Sequence, residues 1–143
     1  MRALVLRFDA PLISFGGTVV DSRNVTDDMP SRSMVTGLLG NALGYDHRDV
    51  ASLARLQERL QIAARRDVVD LGQPFLAGGW TTWGRVEGRG GDPANAKSTS
   101  IRYRHFLADA AYTVAVSVKP PEQPDVDALA DALRDPARPL FLG

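Results

Sequence analysis

Two short runs of strict alternation constrain this chain more than any other feature. Between Ala3 and Phe8 the residues Leu4, Leu6 and Phe8 fall on one side and Ala3, Val5 and Arg7 on the other; between Tyr112 and Val118 one side carries Tyr112, Val114, Val116 and Val118. A period of two is that of a strand with one covered face, so each run needs apolar cover. Three other segments can supply it. Met34, Val35, Leu38, Leu39, Ala42 and Leu43 recur every three to four residues, as do Val50, Leu53, Leu56 and Leu60, and later Val126, Leu129, Ala130 and Leu133. That is the helical period. Ser31 or Ser33, Asp49 and Asp125 precede these segments and offer side-chain oxygens to the unpaired N–H groups of an opening turn. Gly44 stands where the first helix should stop, and Pro136 closes the last.

The rest of the chain is read around these anchors. Pro11 ends the first strand, and Leu12 to Met29, with Gly16, Gly17, Asp21, Asn24 and Asp27, carries loop chemistry. Leu60, Ile62 and Ala64 change the period to two and predict a strand running to about Val69. Gly72 to Ser100 is the least regular part and reads as a long loop or extended hairpin. Ile101 to Leu107 and Tyr112 to Val118 read as two strands with a turn at Asp109, and Pro139 to Gly143 as a short final strand. The order strand, helix, strand, insertion, strand, helix, strand predicts an α+β fold, the ferredoxin-like βαββαβ plan that RNA-recognition modules share. Gly37 and Gly40 each cost the first helix about 1 kcal/mol relative to alanine, which predicts close packing on their side.

Composition excludes several function classes. With 143 residues the chain suits one domain and one core. It has no cysteine, so no disulfide, thiolate metal site or cysteine nucleophile. Its two histidines, His47 and His105, do not make a zinc site; His47, Asp46 and Asp49 read as surface, turn and cap residues. No phosphate-cradling loop is present, since Gly88-Arg89-Gly90-Gly91 lacks the strand–turn–helix setting that one needs. No cofactor, metal or small-molecule substrate is expected. Met1-Arg2 leads directly into the first strand with no apolar leader, and no run of 18 apolar residues occurs, so a cytoplasmic protein away from membranes is expected. Net charge is zero, with 17 basic and 17 acidic residues. It is unevenly spread. Arg85 to His105 holds five Lys and Arg against two acids, and Pro120 to Asp135 five acids against Arg134 alone. One face can thus meet phosphate while another meets solvent or protein.

Four segments in order carry a resemblance that spans nearly the whole chain: Leu4 to Gly16, with its proline and Phe15-Gly16 pair; Pro30-Ser31-Arg32-Ser33 followed by Gly37-Leu38-Leu39-Gly40 and Ala42-Leu43-Gly44; Leu60 to Asp67; and Arg104 to Val116. Together they resemble the CRISPR-associated Cas-five (CasD) family of type I-E Cascade, in the RAMP superfamily. Phe15 stands where that family has tryptophan. The resemblance implies a single domain over residues 1–143 with a β-hairpin thumb at about residues 75–102, from about Trp80 to Arg102; family members continue past the position of Gly143, so this chain reads either as a fragment or as a shortened variant lacking a C-terminal extension. It further implies a non-catalytic subunit that holds the 5′ handle of the CRISPR RNA (crRNA), with that RNA, a Cas-seven-type backbone and a large subunit as partners.

Ser31, Arg32 and Ser33, at a helix N-terminus, are candidate phosphate contacts; simple capping with a solvated arginine is the plain alternative. Arg23, Arg102, Arg104 and His105 are candidates for gripping single-stranded RNA, and Trp80 and Trp83 for a partner interface. Two rival functions remain. Tyr103, His105 and Lys97 supply the residue types of a metal-independent endoribonuclease acting on repeat RNA, and zero net charge suits an adaptor that touches protein alone.

Overall fold

The computed structural model describes residues 2–20, 23–67, 75–83, 100–119 and 122–142; for Val19, Val20, Arg23 and residues 75–83 and 100–102 the description concerns the backbone. The elements are β1 (Leu4–Ile13), β2 (Val19–Val20), β3 (Arg23–Asn24), α1 (Arg32–Ala42), α2 (Val50–Arg59), β4 (Leu60–Asp67), β5 (Phe75–Trp83), β6 (Ser100–Val118) and α3 (Val126–Arg134).

The 19-residue β6 is the spine. Its C-terminal half runs antiparallel between β1, with Leu4 opposite Val116 and Phe8 opposite Tyr112, and β4, with Leu60 opposite Val118 and Asp67 opposite Ala111. Its N-terminal half pairs antiparallel with β5, from Phe75 opposite Ala108 to Trp83 opposite Ser100, and makes a short parallel contact with β3. Helices cover one face of the three-stranded body. Phe8, Leu60, Tyr112, Val114, Val116 and Val118 meet Val35 and Leu39 of α1, Leu56 of α2 and Leu129 of α3 in one core. Among the described residues nothing apolar covers the opposite face, where Val5 remains 72% exposed.

Each helix begins as its local sequence predicts. Ser31, Asp49 and Asp125 accept hydrogen bonds from the N–H groups of Met34, Ser52 and Ala128 at 3.1, 3.2 and 2.8 Å. Gly44, at φ 78°, takes up the left-handed turn after α1 that a side chain resists. Beyond α2, the Arg59 guanidinium donates to the carbonyls of Lys119, Glu122, Gln123 and Pro124, tying the approach to α3 onto the start of β4.

Three strand expectations are corrected. β1 does not end at Pro11 and β6 does not turn at Asp109. Both strands run through, with Pro11 and Asp109 opposite each other between the Ala10–Ala110 and Leu12–Ala108 pairs. Proline brings no N–H to a ladder, and Asp109 sits at φ 52°, so this position interrupts the pleat without breaking the pairing. Large buried side chains are even-numbered before the interruption (Phe8; Tyr112, Val114 and Val116) and odd-numbered beyond it (Ile13; Leu107). Both strands therefore exchange faces at one point, which is also where β6 trades β4 for β5. Turn-forming residues marked a real irregularity, but the β1–β6 pairing continues on either side of it and holds both strands together. Finally, residues 139–142 form no strand; the Ser14 N–H just beyond β1 donates to the Leu142 carbonyl at 3.0 Å, and the Leu142 side chain packs against the core. The α+β class stands, with the fourth strand of the βαββαβ plan not formed among the described residues.

Candidate nucleic-acid interface

The start of α1 faces the loop after β1 across a groove of about 590 Å³ lined by Ser14, Phe15, Gly17, Ser33, Gly37 and Phe141, among others. The loop is held rigidly. The Phe15 N–H donates to Thr26 Oγ1 at 3.0 Å, the Asp27 N–H to the Gly16 carbonyl at 2.6 Å, and a Cβ on Gly17 would lie 2.6 Å from the Val25 carbonyl oxygen. The buried Phe15 ring meets Tyr112 edge-on, with centroids 4.8 Å apart, and the Tyr112 hydroxyl donates to the Asp28 carbonyl at 2.9 Å. Burial pushes the Tyr112 phenol above its usual pKa.

Ser31 spends its hydroxyl on the cap, as the plainer reading held, and Arg32 is exposed beside the groove without lining it. Ser33 is exposed and does line it. The two α1 glycines differ. A Cβ on Gly40 would come within 2.6 Å of Leu53 Cδ2, so α2 needs that glycine, whereas a Cβ on Gly37 would meet nothing within 4 Å. Close packing thus explains Gly40 and leaves Gly37 as bare groove wall.

The remaining candidates lie on the β6 ribbon. Arg23 pairs with Tyr103 and Asn24 with Arg104 through the backbone, while Trp80, Thr81 and Trp83 sit opposite Tyr103, Arg102 and Ser100. The side chains of Arg23, Arg102, Trp80 and Trp83, and all of Lys97, lie outside the described residues. Arg104 Nε and Asn24 Oδ1 are buried with no hydrogen-bond partner among the described residues. Adjacent residues on a strand point to opposite faces, so Arg104 and His105 do not converge on one site, whereas Tyr103, 50% exposed, and His105 share a face. His47 lies 3.2 Å from Asp46 Oδ1 on the surface. Among the described residues no three or more His, Cys, Asp or Glu gather as metal ligands, and no helix is long and apolar enough to cross a membrane.

A further depression, of about 840 Å³, was not anticipated. It lies on the uncovered sheet face, where the registers set Arg7, Thr113 and Arg65 in one row across β1, β6 and β4, and Asp9, Ala111 and Asp67 in the next. Arg7 donates to Asp9 at 2.9 Å, Arg65 to Asp67 at 2.9 Å, and Thr113 Oγ1 to Asp67 at 2.9 Å. The Thr113 hydroxyl first and the Arg65 guanidinium second hold the Asp67 carboxyl below its ordinary pKa. The signal was present in the sequence as matched Arg-x-Asp triplets at 7–9 and 65–67 in two strands.

A sequence model of the family described as "CRISPR-associated protein (Cas_Cas5)" matches residues 3–143. The chain belongs to this family. It is 32% identical, over 143 residues, to the CRISPR system Cascade subunit CasD of Escherichia coli (strain K12), covering 98% of this chain and 64% of that one. Two solved structures are similar. A chain of a CRISPR RNA-guided surveillance complex superposes with a TM-score of 0.75 at 29% identity, covering 99% of this chain and 57% of that one. A second, described as the crystal structure of a Cas protein, gives 0.60 at 30% identity, with 99% and 56% covered. This chain thus spans rather more than half the length of these relatives.

Proposed function

We propose that this Cas_Cas5 chain is a non-catalytic, crRNA-binding subunit of a Cascade-type complex, holding the 5′ handle of the guide and capping the backbone. The observation that carries this reading is the similarity to Cascade subunit CasD over 98% of the chain. The groove beside α1 is a suitable bed for single-stranded RNA. It is uncharged, offers hydroxyls from Ser14 and Ser33 and aromatic rings from Phe15 and the 70%-exposed Phe141, and has bare backbone at Gly37. Unstacked bases are read by such mixtures of stacking and hydrogen bonding. Arg32 stands at the rim to meet phosphate. The body is a ferredoxin-like sheet. The β5–β6 ribbon acts as the thumb, carrying Trp80 and Trp83 toward the backbone and large subunits.

The test is handle-RNA binding across a salt series. Arg32→Ala should weaken binding and lower the salt slope by about one, as loss of one phosphate contact demands, and Ser33→Ala should weaken it with the slope unchanged. Unchanged affinity in both variants would refute the groove. Cleavage of repeat RNA by the purified protein in chelator would refute the non-catalytic role.

A further inference from the structure

We infer that the uncovered face of the sheet is a docking trough for a partner protein's α-helix, one that carries an acidic turn followed by a basic turn. This inference is independent of the RNA reading. The floor is Ala111 and Thr113 of β6, whose small side chains let a helix approach closely, and the walls are β1 and β4. Flanking strands two spacings apart stand about 9–10 Å from each other, close to the width of a helix with its side chains, about 10–12 Å. Successive rows on one face are about 7 Å apart along a strand, close to the roughly 6 Å rise between helical residues i and i+4. A helix lying along β6 therefore sets one turn over Arg7 and Arg65 and the next over Asp9 and Asp67.

Charge selects the occupant. Asp9, Asp67 and Asp109 line the trough along with Arg7, Arg65 and Arg66, a balanced set of alternating charge that a uniformly negative phosphate backbone does not match. A second copy of the chain would set hollow against hollow. A helix fills the hollow and answers both rows. Because Arg7–Asp9 and Arg65–Asp67 are already paired, at 2.9 Å each, the guanidiniums are held in position before a partner arrives.

The trough is tested with two alanine-based helical peptides of about 20 residues and equal composition. One has both glutamates on one turn and both lysines on the next, and the other has one of each on both turns. Fluorescence anisotropy should show wild-type protein preferring the segregated peptide about tenfold, equivalent to about 1.4 kcal/mol over four exposed charge pairs. The double variant Arg65→Asp/Asp67→Arg, which keeps the β4 ion pair but makes each row mixed, should reverse that preference. Equal affinity for the two peptides, or binding of neither by the wild type, overturns the inference. So does displacement of the peptide by single-stranded RNA, or self-association of the wild-type chain that the double variant abolishes.

Discussion

Substituting Gly37 with alanine should make the protein more stable and its RNA grip weaker, two effects of opposite sign from one methyl group. Glycine inside a helix costs about 0.8–1.0 kcal/mol relative to alanine, and a Cβ at Gly37 meets no atom within 4 Å, so nothing offsets the gain. The expected stabilisation is about 0.5–1 kcal/mol, or a rise in Tm of about 2–5 °C for a chain this size. Gly40→Ala is the internal control. The same propensity gain is there opposed by overpacking, typically about 1–3 kcal/mol, because the new methyl would sit 2.6 Å from Leu53 Cδ2; the net effect should run from neutral to about 2 kcal/mol destabilising. Urea unfolding followed by circular dichroism measures both, with the midpoint shifting at constant slope. In the groove, the Gly37→Ala methyl takes space that a bound base or ribose would use, and handle-RNA affinity should fall at least about fivefold, at the lower end of an overpacking penalty. A Gly37→Ala variant no more stable than wild type would refute the helix reasoning. One that is more stable and binds RNA unchanged would show that the ligand does not pass over α1.

Tyr112→Phe keeps the ring contact with Phe15 but leaves the Asp28 carbonyl without its donor; a loss of about 1–2 kcal/mol is expected, read as a lower urea midpoint. Acid should act on the caps and on the open sheet face together. Asp49, Asp67 and Asp125 all have pKa values lowered from 3.8 in the folded chain, chiefly through hydrogen bonds from Ser52, Thr113 and Ala128 respectively. Lowered folded-state values mean that the stabilisation is fully present above the unfolded value and is lost as pH falls through the folded ones. Thermal unfolding should accordingly be nearly flat above about pH 5 and decline below about pH 4, and Asp67→Asn together with Asp125→Asn should flatten that acid limb.

What could be read from the sequence was what neighbouring residues decide. Ser31, Asp49 and Asp125 announce their helices because a cap is a bond between a side chain and a backbone N–H three residues on. The alternation at 112–118 reads true because its cover is continuous. Pro11 and Asp109 misled because a turn residue breaks a strand only when no neighbour holds it, and here β1, β4 and β5 hold β6 along its length. In the candidate site, Ser33 lines one groove with Phe15 and Gly37, a grouping that the sequence reading did not make, and Arg104 and His105 were grouped as sequence neighbours when a strand points them apart. The charged rows of the open face went unseen because only three-dimensional register sets Arg7 level with Arg65.

The shared change of face at Pro11 and Asp109 makes the aim of the outer arm a matter of counting. Because both strands invert at the same rung, they remain in step; one residue added to or taken from β6 at that rung would turn its outer half over, swapping the side that shows Arg104 for the side that shows Tyr103 and His105. The arm's orientation is in this sense digital rather than graded. Single-residue insertions and deletions at that joint are accordingly the smallest genetic step that redirects the arm toward a different neighbour while leaving the body's core unaltered.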